Sequence, residues 1–232
     1  MLKVFDKDLN TKCYGEFSKL SSNDIENGIR LNSFDTIRNN FKTVKAPFIV
    51  LKPLVESQNT PELLNFFNNS YALWMFRNFK DVASSNIKHF SLNNGINNLK
   101  PIIESKSDNW RSEKVSNHVR ETITKYFSCD MNLYDAAVLF WYARNSLFFD
   151  LELDKMSRVL MCKYGDLVTQ PERIVKTIYK QLGQPYPSYN ITNDLHSTSL
   201  QKGKSLELSP EIEDLANEML DRLETAYQRK IS

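Results

Sequence analysis

With 232 residues and a formal net charge of +2, from 30 basic and 28 acidic side chains, the chain is nearly neutral, which excludes nucleic-acid binding through bulk charge. A hydrophobic fraction of 41%, including 12% aromatics, is enough for a sizeable core, and residues 1–232 read as one domain. Cys13, Cys129 and Cys162 are odd in number and lack CxxC spacing, and His89, His118 and His196 are dispersed, so neither a disulfide framework nor a metal site is expected.

No apolar run approaches the roughly 18 residues a membrane span needs. The opening Met-Leu-Lys-Val-Phe-Asp lacks the apolar stretch of a signal peptide, so the expected location is the cytoplasm.

In chain order, the first 45 residues are polar and mixed, with a short helix expected near Ser33–Asn40. Pro47–Leu51 (PFIVL) is a short apolar run, read as a strand buried on both faces. Thr60-Pro61-Glu62 opens a helix, with Thr60 as N-cap and Pro61 at the first helical position. A second strand is expected at Tyr71–Phe76 and a helix from about Phe79 to His89. From Ser112 to Glu152 the pattern is helical in two pieces, broken around Cys129–Asn132; the second is apolar nearly all round and predicts a buried central helix. Ser157–Lys163 reads as the third strand. A helix from Pro171 to about Leu182 follows, with Gly183 as its C-cap. Residues 188–208 are a polar loop, and Pro210–Arg229 is an amphipathic closing helix. Strand–helix alternation predicts an α/β fold, a three-layer sandwich around a central parallel sheet.

In open parallel sheets, ligands sit beyond the carboxyl ends of the strands. There the sequence places Lys52, Arg77 and Tyr164, two cations and an aromatic ring that suit a phosphorylated ligand bearing a ring. Arginine matches a phosphate with a planar fork of donors, while lysine acts as a point charge. Ser85 lies eight residues after Arg77, where a folded-back helix start returns its hydroxyl to the same phosphate. Each residue alone is also ordinary at a strand end or on a helix surface.

Arg77-Asn78-Phe79-Lys80-Asp81-Val82-Ala83-Ser84-Ser85 resembles the 3'-phosphate motif of the sulfotransferases that use 3'-phosphoadenosine 5'-phosphosulfate (PAPS). FIVLKPL is similar to that family's strand ending in lysine, and CKYGDLVTQPERIVKTIYKQLGQP to its strand, tyrosine and helix segment. Gln201-Lys202-Gly203-Lys204 occupies the place of its late basic loop.

The resemblance implies the P-loop-NTPase-like sulfotransferase fold, with PAPS as donor, its bisphosphate product PAP and no metal. Arg77, Ser85, Lys202, Gly203 and Lys204 would hold the 3'-phosphate, and Tyr164 would face the adenine. Lys52 would sit near the transferring sulfuryl group. A small molecule, carbohydrate or lipid would be the acceptor. Three departures stand out, one of them Gly165 where a glutamate usually follows the tyrosine. The family's glycine-rich 5'-phosphosulfate loop is absent, which reads as an N-terminally truncated member. The family's catalytic histidine position is Leu54, which leaves Glu56 as the candidate base, with His118 a weaker one. A catalytically inactive nucleotide-binding or scaffold protein of the same fold is the alternative, and a small kinase a more distant one.

Overall fold

The computed structural model describes residues 1–24 and 28–231. Helix α1 (Leu2–Phe5) leads into strand β1 (Thr11–Tyr14), then the β-ribbon β2 (Ser21–Asp24) and β3 (Gly28–Leu31), helix α2 (Phe34–Phe41) and strand β4 (Phe48–Leu51). Next come α3 (Thr60–Phe66), β5 (Ala72–Phe76), α4 (Phe79–His89), α5 (Asn94–Ile103), α6 (Asn117–Tyr126) and α7 (Leu133–Asp150). The chain closes with β6 (Val159–Lys163), α8 (Tyr164–Thr169), α9 (Pro171–Gln181) and α10 (Pro210–Ile231).

The result is a mixed α/β molecule with small parallel sheets. Among the described residues the strands pair as three two-stranded ladders: β1 with β4 and β5 with β6 are parallel, and β2 with β3 is antiparallel. Three strands fall where the apolar runs predict them. β6 is the buried one, with Val159 to Cys162 all nearly inaccessible, whereas every residue of β4 is half-buried. β1 escapes sequence reading because Thr-Lys-Cys-Tyr is short and polar; its pairing with β4 supplies the hydrogen bonds that its composition does not advertise. Side chains from both parallel ladders (Cys13, Phe48, Val50, Leu73, Cys162) pack in one cluster with α1 and α9.

The larger core surrounds α7, which buries twelve residues and is touched by α4, α5, α6 and α10. Its N-cap Asn132 accepts a hydrogen bond from the Tyr134 amide at 2.9 Å. Helix α5 is hidden in the sequence by Asn, Gly and Pro, all poor helix formers. It forms because Ile96, Leu99 and Ile102 recur at helical spacing and bury against α7. Gly95 lets the two backbones meet, since a Cβ there would lie 2.8 Å from the Ala137 nitrogen. One local expectation is corrected: the N-cap of α3 is Asn59, preceded by a 3-10 turn over Ser57–Asn59, and Thr60 is already helical. The Thr60 hydroxyl donates to the Ser57 carbonyl at 2.8 Å, so it no longer faces the helix amides.

No helix among the described residues is long and apolar enough to cross a membrane.

Candidate functional site

The register of the β5–β6 ladder decides the site. Phe76 lies opposite Lys163, so the next residues, Arg77 and Tyr164, leave two neighbouring parallel strands side by side. The Arg77 guanidinium lies 4.8 Å from the centroid of the Tyr164 ring, a cation–π stack that fixes the plane of its donor fork. With a side chain 19% exposed, Arg77 faces solvent through a narrow window. Its carbonyl accepts the Trp141 indole N–H at 3.1 Å, which ties the strand end to α7.

Asp81 organises the rest. Four residues after Arg77 and 7% exposed, it meets the guanidinium at 3.5 Å. Its two oxygens accept backbone N–H groups from Gln201 at 3.2 Å and Gly203 at 3.1 Å. The Ser84 hydroxyl donates to the Lys202 carbonyl at 3.4 Å. The 201–204 segment is thereby fastened over the first turns of α4, with Lys202 and Lys204 exposed on its outside. Gly203 is required there: a Cβ would fall 2.3 Å from the Lys80 carbonyl carbon and oxygen. Gly203→Ala is therefore expected to push the segment off α4 and lower stability by about 1–3 kcal/mol. Chemical denaturation would detect this, and an unchanged midpoint would refute the close approach.

Ser85 follows Asp81 by one turn on the same face of α4. Arg77, Tyr164, Asp81 and the 202–204 loop thus form one cluster beside the face that carries Ser85. It combines three cations, a ring and the N-terminal end of an eleven-residue helix, which suits a phosphate dianion next to a flat base. The stacked guanidinium and a loop that admits only glycine give the cluster its shape.

Lys52 and Glu56 have other partners. Tyr14 is opposite Leu51 in the β1–β4 ladder, so the turn after β1 comes alongside Lys52, and Lys52 pairs with Glu16. Glu56 is 4% exposed. It accepts from Arg30 Nε at 2.8 Å, the Leu31 amide at 2.9 Å, Asn59 Nδ2 at 2.7 Å and, at 3.5 Å, a second Arg30 nitrogen. With both oxygens engaged, Glu56 is built as a structural carboxylate and offers no free lone pair to an acceptor hydroxyl. This corrects the expectation of a free base, which rested on Leu54 standing at the family's histidine position and Glu56 being the nearest carboxylate to it. The sequence showed Asp81 only as part of a motif. Its loop partners lie 120 and 122 residues away, where no local pattern reaches.

Behind Glu56 runs a polar network. Glu113 accepts from two Arg30 nitrogens at 2.9 and 3.0 Å and from Gln58 Nε2 at 2.7 Å. Arg144 on α7 donates to Gln58 Oε1 at 2.7 Å, Ser57 Oγ at 3.0 Å and the Trp110 carbonyl at 3.1 Å. Burial lowers the Arg144 guanidinium to about 10, against the partial support of the Glu113 charge. No group of three or more His, Cys, Asp or Glu among the described residues could hold a metal ion.

No curated protein and no solved structure matches the chain. The family model of the sulfotransferase domain matches residues 56–230, a span that holds Arg77, Asp81, Tyr164 and the 201–204 loop while Lys52 and β1 precede it. On that match, covering more than half of the chain, the protein belongs to the sulfotransferase domain family.

Proposed function

We propose that the chain, as a single domain, transfers a sulfuryl group from PAPS to a hydroxyl acceptor. The observation that carries this reading is the Arg77–Tyr164 stack beneath a basic loop fastened by Asp81. Arg77, Ser85, Lys202 and Lys204 hold the 3'-phosphate, Gly203 lets the loop close, and Tyr164 faces the adenine. In this reading the two parallel ladders, joined by one apolar cluster, belong to the central sheet of a three-layer fold of the P-loop-like type.

Bound PAPS supplies the sulfuryl group together with a phosphate leaving group. In the net reaction an acceptor oxygen–sulfur bond forms, the bond from sulfur to the bridging phosphate oxygen breaks, and the hydroxyl proton is released. The protein's share is positioning and electrostatics. Lys52 stands at the end of β4 as the cation for charge on the bridging oxygen. Glu56 acts as a positioning residue through Arg30, and the proton leaves to solvent.

The Lys52–Glu16 pair favours a second reading, a nucleotide-binding protein without transfer activity, because a carboxylate beside Lys52 cancels the charge that a phosphosulfate needs. Calorimetric titration with PAP, followed by an assay with labelled PAPS, separates the two. The wild type is expected to bind PAP, and Arg77→Ala to bind it more weakly by about 1.5–3 kcal/mol, the size of a hydrogen bond to a charged group. Equal affinities in the two proteins would remove the nucleotide site. Binding without transfer to any acceptor would select the second reading.

A further inference from the structure

Sulfuryl transfer to a hydroxyl leaves one duty unassigned, the removal of the hydroxyl proton. The carboxylates that follow β4 in the sequence are already used. Glu56 accepts four hydrogen bonds, from Arg30, Leu31 and Asn59. Glu62 pairs with Lys114, and the Glu113 oxygens are held by Arg30 and Gln58. His118 stands on α6, in the wall of a cleft it shares with Lys125 and Arg222.

Glu16 is placed differently. β1 and β4 run in step from Thr11 opposite Phe48 to Tyr14 opposite Leu51, and the Lys52 amide extends the ladder by donating to the Tyr14 carbonyl at 2.8 Å. The two segments leave the ladder together, and Glu16 meets Lys52 there. A turn closed by the Ser18 amide on the Gly15 carbonyl, at 3.2 Å, keeps Glu16 in place. Cys13, Val50 and Cys162, each one residue before the end of its strand, share one apolar cluster, so β1, β4 and β6 finish near one another. Tyr164, stacked on Arg77, follows β6 directly.

The Glu16 carboxylate is open to a substrate. Its side chain is 23% exposed, against 4% for Glu56. Among the described residues its one bonded partner is Lys52, through Oε1, which leaves the lone pairs of Oε2 for another donor. Lys52 is 55% exposed and carries its charge on a flexible four-carbon stem, so it can turn. An ion pair this exposed contributes little to stability, and opening it costs correspondingly little.

We infer that Glu16 is the general base of the transfer, an assignment that rests on the sulfuryl-transfer reading. As Lys52 turns from Glu16 to the bridging oxygen, the carboxylate is left for the acceptor hydroxyl. The hydroxyl O–H bond breaks with its proton passing to Glu16, and the acceptor oxygen–sulfur bond forms. The bond from sulfur to the bridging oxygen breaks, and its electron pair leaves with the bisphosphate. Glu16 then passes the proton to solvent.

The test compares the wild type with Glu16→Gln, Glu16→Asp and Glu16→Ala as full chains. Labelled PAPS is the donor, the acceptor probes are 4-nitrophenol, methyl β-D-glucoside and 1-hexanol, and PAP affinity is measured in parallel by calorimetry. Glu16→Gln should lower kcat about a hundredfold or more, the share a general base supplies, while KM for PAPS and PAP affinity stay within about twofold. Glu16→Asp should fall between the two, and added formate should restore transfer by Glu16→Ala about tenfold, because a small carboxylate can then take the proton. Transfer by Glu16→Gln above the wild-type rate would show that Glu16 only neutralises Lys52 and would overturn the inference. So would a Glu16→Ala enzyme that formate does not restore, or a Glu16→Gln protein that no longer binds PAP. Wild-type transfer that Glu16→Gln retains removes the Glu16 assignment alone, whereas PAP binding with no wild-type transfer to any probe removes the transfer reading and the base with it.

Discussion

Asp81→Ala is expected to release the 201–204 loop, lower stability by about 3 kcal/mol and weaken PAP binding about a hundredfold. The Asp81 carboxylate is 7% exposed and takes two backbone N–H groups from a segment 120 residues away. Hydrogen bonds to a charged acceptor are worth about 1.5–3 kcal/mol each, part of which returns when the freed amides meet water. A competing effect runs the other way, because losing Asp81 leaves Arg77 with more of its charge for a phosphate. At 3.5 Å that pairing is the weaker contact, and the loss of two lysines and a close-fitting loop outweighs it. Asp81→Asn, which keeps one acceptor oxygen but loses the charge, should fall between the two. Hydrogen exchange at the Gln201 and Gly203 amides is the direct readout. If their protection is the same in Asp81→Ala as in the wild type, the carboxylate does not hold the loop.

Glu113→Ala is expected to cost about 1–3 kcal/mol of stability, because it leaves the donors of Arg30 and Gln58 in a half-buried charge network without their acceptor. The variant leaves Arg30 with Glu56 alone, and leaves Arg144 with only neutral acceptors at Ser57, Gln58 and Trp110. Burial by itself would raise the Glu113 carboxyl, but hydrogen bonds from Arg30 and Gln58, with the charges of Arg30 and Arg144, hold it below its usual 4.5. A depressed carboxyl contributes stability that is present above its unfolded value and is lost as pH falls through the folded value. The gap in unfolding free energy between wild type and Glu113→Gln should therefore be constant near neutrality and shrink in acid below about 4.5. Urea titrations across that range measure it. A gap that widens toward low pH would show that Glu113 is not held ionised by its neighbours.

Much of the scaffold is legible locally. Strands β5 and β6 follow from apolar runs, α7 from a stretch apolar nearly all round, and α10 from Ile212, Ala216, Met219 and Leu223 on one face. What escaped is what local composition contradicts. β1 has only four residues, mostly polar, and α5 carries Asn, Gly and Pro; each forms because a partner supplies hydrogen bonds or an apolar surface. Glu56 shows the same limit in the site. Its place two residues after Leu54, the family's histidine position, suggested a base, yet Arg30, 26 residues upstream on β3, takes the carboxylate.

The sequence by itself determined which residue types stand at the strand ends, because a cation or an aromatic ring at the end of an apolar run is a local fact. It thereby placed Arg77, Ser85 and Tyr164 in an interpretable order. Only the tertiary structure decided who meets whom: that Arg77 lies on Tyr164, that Asp81 fastens a loop, and that Glu56 and Glu113 belong to Arg30. The physical reason is that strand register and buried hydrogen bonds join groups far apart in the chain, and the free energy of those pairings resides in the contacts themselves, not in any run of neighbouring residues.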